Sequence, residues 1–135
     1  MERQKKVVDA SVIVKLFADE ENSDKALLLR DKHINEEICL IAPEFILLEV
    51  INALKYKKLN EEILKKSNEE LWGIQLKTIN LDDSLIKKSI EISAKYNLSI
   101  YDSVYVALAE IHNAQLITAD EKLLKLPNSV NLEKC

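Results

Sequence analysis

Short apolar runs alternating with stretches of helical periodicity predict an α/β fold, a central parallel sheet of about four or five strands flanked by helices. Each run of strand length is separated from the next by a helical segment, which implies right-handed crossovers and strands covered on both faces. The 135 residues suit one domain with one core, so residues 1–135 are read as a single unit.

The elements follow from local chemistry. Lys6-Val7-Val8 reads as a first strand ending at Asp9, and Ser11 to Phe17 as an apolar helical start that Asp19-Glu20-Glu21-Asn22 interrupts. A helix is expected from Ser23 to His33, then a strand from Ile38 to Ala42. Pro43 suits the first position of a helix reaching about Lys58. Asn60 to Trp72 repeats Ile63, Leu64, Leu71 and Trp72 at helical spacing among Lys and Glu. Leu76 to Leu81 reads as a third strand, and Asp82-Asp83-Ser84 offers N-cap chemistry for a helix to Tyr96. Ser99 opens another to His112, Gln115 to Thr118 is a fourth strand, and a short helix with a last strand, Ser129 to Leu132, closes the chain.

Composition removes whole classes of function. With 47 % hydrophobic and 31 % charged residues, the chain fits neither disorder nor a membrane span of about 18 uncharged apolar residues. Val7-Val8 is too brief for a secretory signal, so a cytoplasmic protein is expected. Gly73 is the sole glycine, which excludes a phosphate-binding loop or a dinucleotide-binding turn, and with them a nucleotide cofactor. A net charge of −4 argues against binding nucleic acid by bulk electrostatics, so any RNA contact must be local. His33 and His112 lie in charged or polar helical segments and read as solvated. Neither Cys39, inside an apolar run, nor Cys135, the last residue, suggests a disulfide, zinc site or nucleophile.

Acids in apolar surroundings remain. Asp9 and Asp120 follow strands at the carboxyl end, where open α/β sheets place ligands, although either could simply cap the helix after it. Glu49 interrupts Phe45-Ile46-Leu47-Leu48 and Val50-Ile51, and a carboxylate buried there needs a partner, a proton or a metal. The plainer alternative is a glutamate snorkelling to the surface. Asn52, three residues on, would share its helix face. Asp102 sits three residues after Ser99, as in a capping box, yet also at the start of a helix whose Val104–Leu108 should be buried. Mg²⁺ and Mn²⁺ prefer carboxylate and water ligands, and converging acids repel one another unless a cation neutralises them.

Val7-Val8-Asp9-Ala10-Ser11, Glu49 in a mid-chain helix, Tyr101-Asp102-Ser103 before an Ala-rich helix and Thr118-Ala119-Asp120 after a strand together resemble the PIN-domain family. In detail the chain resembles VapC-type toxins of prokaryotic toxin-antitoxin pairs, over essentially its whole length. The resemblance implies a Rossmann-like sheet, endoribonuclease activity dependent on Mg²⁺ or Mn²⁺, an RNA substrate, inhibition by a small VapB-like antitoxin, and homodimers. By position it implies that Asp9, Glu49, Asp102 and Asp120 form the acidic quartet, with Asp9 and Asp102 the direct metal ligands and Ser11 and Thr118 in support. Trp72 becomes a candidate contact for a second copy or an antitoxin, against ordinary core packing. Lys15, Lys55, Lys57 and Lys58 are candidate phosphate contacts, against simple solvation.

Two rivals stand beside this reading. A phosphoryl-transfer enzyme would also place Asp9 after the first strand, but Asp9-Ala10-Ser11 lacks a second acid two residues on. A non-catalytic PIN-like module binding RNA or protein would keep the acids only as helix caps.

Overall fold

The computed structural model describes residues 3–135. Along the chain run β1 (Gln4–Val8), α1 (Ala10–Ile13), a 3-10 turn (Val14–Leu16), α2 (Ser23–Ile34), β2 (Ile38–Pro43), α3 (Ile46–Tyr56), α4 (Glu61–Gly73) and β3 (Lys77–Ile79). They are followed by α5 (Asp83–Tyr96), α6 (Ile100–Ile111), β4 (Gln115–Thr118), α7 (Glu121–Leu124), β5 (Ser129–Asn131) and a final 3-10 turn (Leu132–Lys134). All strand pairs are parallel, in the order β3-β2-β1-β4-β5.

The core grows from the strand residues that sequence marked as apolar. Val7 lies beside Ile41 on one side and Leu116 on the other, Val8 lies beside Ile117, and all five are buried. α6 packs against β1, β2, β4 and α5, and its residues from Ser103 to Ala109 are buried without interruption. Such a helix must be apolar on every side, which is why polar groups within it need partners. None of the described helices is long and apolar enough to cross a membrane.

Side-chain caps start several helices. Asn60 Oδ1 accepts from the Ile63 amide at 2.9 Å, Asp82 Oδ1 from Leu85 at 2.8 Å and Ser99 Oγ from Asp102 at 3.0 Å. With so little glycine, left-handed backbone positions fall to other residues. Asn22, Asn97, Asn113 and Asn128 all have φ between 48° and 66°, and Asn is the side chain that tolerates this region best. Asn97 thereby ends α5.

The structure corrects three sequence readings. Pro43 does not open a helix but ends β2 beside Ile79, and α3 begins only at Ile46. Pairing with β1 stops at Ile41, while the Glu44 amide donates to the Ile79 carbonyl on the β3 side. Successive amides of a strand point to opposite neighbours, so the missing Pro43 N–H falls where the ladder has ended. His33 is 6 % exposed rather than solvated: Nδ1 accepts from the Leu40 amide at 3.0 Å and Nε2 lies 2.9 Å from the Gln75 carbonyl. It continues the buried face of Ala26 and Leu29 along α2, a spacing visible in sequence behind its charged neighbours. Trp72, for which core packing was the plainer reading, is 60 % exposed. Leu71 takes the inward position, and Trp72 Nε1 donates to Asn68 Oδ1 at 3.1 Å.

Candidate active site

The sheet order reverses between β1 and β4, and the register that sets Val8 beside Ile117 brings the residues after both strands together. Asp9, 5 % exposed, occupies the N-cap position of α1 but its side chain makes no capping bond. Instead Oδ1 accepts from Ser11 Oγ and Oδ2 from Thr118 Oγ1, each at 2.5 Å. Both hydroxyls are themselves held by the turn after β4: the Ala119 amide donates to Ser11 Oγ at 3.0 Å, and the Asp120 amide to Thr118 Oγ1 at 2.9 Å. A short relay thus runs from two backbone amides through two hydroxyls to one carboxylate.

Burial pushes the Asp9 carboxyl up to about 6; the Ser11 and Thr118 hydrogen bonds oppose this, the charge of Asp120 adds to it, and the Val12 amide lowers it slightly. Asp120 is partly exposed and its Oδ1 accepts from the Lys122 amide at 3.0 Å, so it does cap α7. For this residue the capping reading and proximity to Asp9 hold together.

A second pair of acids lies on α3 and α6. Glu49 stands in the first turn of α3, half-buried, with Oε1 accepting from Tyr105 Oη at 2.5 Å. Burial raises its carboxyl above the usual glutamate range, the Tyr105 bond lowers it, and the Asp102 charge raises it further. Asp102 is in the first turn of α6 and partly exposed. Ser99 Oγ caps its amide, but no reciprocal bond from the Asp102 carboxylate is formed, so the box is half-made and that carboxylate is free of capping duty. Lys122 Nζ approaches Asp102 Oδ2 to 4.0 Å.

Tyr105 is the residue that sequence reasoning missed. It is 2 % exposed, and its hydroxyl is pushed far above the ordinary phenol range by burial first, then by Glu49, with Asp9 and Asp102 adding to it. One phenol therefore sits among acids from three separate parts of the chain. An aromatic inside Val104–Leu108 reads as core, and nothing in one sequence distinguishes a tyrosine with a carboxylate partner.

Of the other expected residues, Asn52 is exposed and forms no hydrogen bond with Glu49. Lys15 and Lys57 both pair with Glu20, the former at 3.5 Å, which offsets part of that basic surface. Among the described residues no three His, Cys, Asp or Glu side chains stand close enough to share one ion. The acids instead come as Asp9 with Asp120 and Glu49 with Asp102, each pair electrostatically coupled. Mg²⁺ keeps several waters and takes only one or two carboxylates with substrate phosphates, so hard oxygen donors arranged in pairs fit it. A groove of about 620 Å³ is lined by Phe45, Leu48, Trp72 and Leu81 among others, and by none of the four acids.

Residues 6–128 match the model of the PIN domain. Ribonuclease VapC3 of Pyrobaculum aerophilum is 31 % identical over 125 residues, covering 88 % of this chain and 92 % of the relative. Among solved structures, a toxin-antitoxin complex from Klebsiella pneumoniae superposes with a TM-score of 0.72 at 18 % identity, covering 94 % of this chain and 97 % of that one. VapBC2 from Rickettsia felis, bound to a DNA fragment from its promoter, gives 0.70 at 14 % identity, with coverage of 95 % and 98 %. These two likenesses show the shared fold. The family match and the curated relative show more, and this chain belongs to the PIN-domain family, among its VapC-type proteins.

Proposed function

We propose that this chain is a divalent-metal-dependent endoribonuclease acting in the cytoplasm as the toxin of a toxin-antitoxin pair. The observation that carries the reading is Asp9, a nearly buried carboxylate whose two oxygens are held by the Ser11 and Thr118 hydroxyls and which burial pushes up to about 6. A buried acid kept at such a cost at the carboxyl ends of the strands, where open sheets bind ligands, is the mark of a functional carboxylate. Asp102, free of capping duty, stands with it against the non-catalytic alternative.

By the family pattern one acid of each pair, Asp9 and Asp102, would hold Mg²⁺ or Mn²⁺, with Asp120 beside the first and Glu49 beside the second. When bound, such an ion lowers the pKa of water and offsets charge on the phosphodiester. Ser11 and Thr118 fix both oxygens of Asp9, so its orientation does not depend on the ion. Glu49, raised in basicity by its surroundings, is suited to accept a proton from the attacking water. Lys122, beside Asp102, supplies a positive charge that suits an approaching phosphate.

A VapB-like antitoxin and a second copy of the chain are the partners we assign. The VapBC and toxin-antitoxin assemblies among the structural relatives support the first, as does the exposed apolar groove beside Trp72 and Leu48. Digestion of a mixed RNA pool tests the activity: cleavage is expected with Mg²⁺ or Mn²⁺ and none with EDTA. RNA left intact by the metal-loaded protein, or cut equally in EDTA, would overturn the reading.

A further inference from the structure

Tyr105 is buried deep within α6, and at that depth a hydroxyl must find a partner. Its partner is Glu49 Oε1, which accepts from the hydroxyl at 2.5 Å from 56 positions away in sequence. The ring has little freedom, because the edge-on Phe45 ring stands 5.7 Å from it at 85°. Phe45 also starts the helix that carries Glu49, since its carbonyl accepts the Glu49 amide at 3.0 Å. The first turn of α3 is therefore tied to α6 twice, through an aromatic contact and through the carboxylate. Asp102, three residues before Tyr105, lies on the same side of α6.

A half-exposed glutamate left alone would sample several rotamers. Here Oε1 is committed to a rigid donor, while Oε2 has no donor among the described residues. We propose that Tyr105 is a positioning residue for Glu49: its hydroxyl fixes one carboxylate oxygen and leaves the other free to face a cation or the attacking water. The inference rests on reading the acids as the nuclease site. Partners that orient a functional carboxylate commonly matter by about 10- to 100-fold in metal affinity or activity.

The test uses the full chain, with Tyr105→Phe, Glu49→Gln, their combination, and Asp9→Asn. Mn²⁺ binding is measured by calorimetry, and kcat and KM on an RNA oligomer that the original protein cleaves. Tyr105→Phe keeps the ring and its Phe45 contact, so the metal-free melting temperature should stay close to the original. Mn²⁺ affinity or kcat should fall by about 10- to 100-fold with KM nearly unchanged. In the Glu49→Gln background the same change should move neither quantity by more than about twofold. Original behaviour of Tyr105→Phe, or an equal loss in both backgrounds, would overturn the proposal, the latter assigning the effect to core packing. If Asp9→Asn still cleaves normally, the site reading itself falls. If Asp9→Asn is inactive and Tyr105→Phe is normal, only the role of Tyr105 falls.

Discussion

His33, in the last turn of α2, and Asp9, directly after β1, are both buried polar side chains, and they are held in opposite ways. His33 joins the last turn of α2 to the Leu40 amide and the Gln75 carbonyl, so one ring meets two backbone groups. The two carboxylate oxygens of Asp9 are taken by the Ser11 and Thr118 hydroxyls, and burial works against its charge. The first arrangement lowers the free energy of the fold. The second stores unfavourable electrostatics that a proton or a cation would relieve, and that difference is what marks Asp9, rather than His33, as the candidate functional residue.

The largest effect should come from removing the charge of Asp9. Asp9→Asn is expected to reduce metal-dependent RNA cleavage to the EDTA background, while the metal-free melting temperature stays unchanged or rises. Mn²⁺ should raise the melting temperature of the original protein with concentration by mass action, and that of the variant much less. Equal Mn²⁺ stabilisation of the two would remove Asp9 from the metal site.

Removing His33 should do the reverse. His33→Ala leaves the Leu40 amide without its acceptor and opens a small cavity, at an expected loss of about 3 kcal/mol in urea unfolding. Mn²⁺ stabilisation of the folded variant should persist. A loss below about 1 kcal/mol would mean that the histidine bridge is not the anchor the comparison makes it.

The pH dependence sharpens the contrast. The folded pKa of Asp9 lies above its unfolded value, so the folded state holds this proton more tightly. Its contribution favours folding below the usual aspartate range and is lost as pH rises through about 6. In EDTA, the original protein should lose up to about 3 kcal/mol relative to Asp9→Asn between about pH 4 and pH 7. Parallel stability curves for the two proteins would show that Asp9 carries no such strain.

The smallest effects belong to the caps. Asp120→Ala should cost about 1 kcal/mol and Asp120→Asn almost nothing, because Asn can still accept from the Lys122 amide. Ser99→Ala should cost a similar amount at the start of α6. Thermal melts in EDTA would detect both, and a costly Asp120→Asn would show that its charge, not its cap, matters to the fold.

The strands and most helices were legible because period and capping are local: Asn60, Asp82 and Ser99 mark their helices in sequence and cap them in space. Asp9 and Asp120 were legible from their place after strands, and Glu49 from its apolar neighbours. What could not be read was pairing across the fold. Thr118 was expected near the acids only through the family resemblance, and that Glu49 meets Tyr105 and His33 turns inward depends on how the elements assemble. Pro43 misled because proline's missing amide suits a helix start and the end of a strand ladder equally.

The relay at Asp9 makes the turn between β4 and α7 a listening post for the charge state of a residue at the other end of the chain. The Ala119 and Asp120 amides each reach the carboxylate through a single hydroxyl. Neutralising Asp9, by a proton or by a cation, changes how firmly those hydroxyls are held, and so how readily the amides exchange their hydrogens with solvent. Were Asp9 to hold a cation, its occupancy should show in the exchange rates of those two backbone positions, where it could be followed without RNA and without turnover.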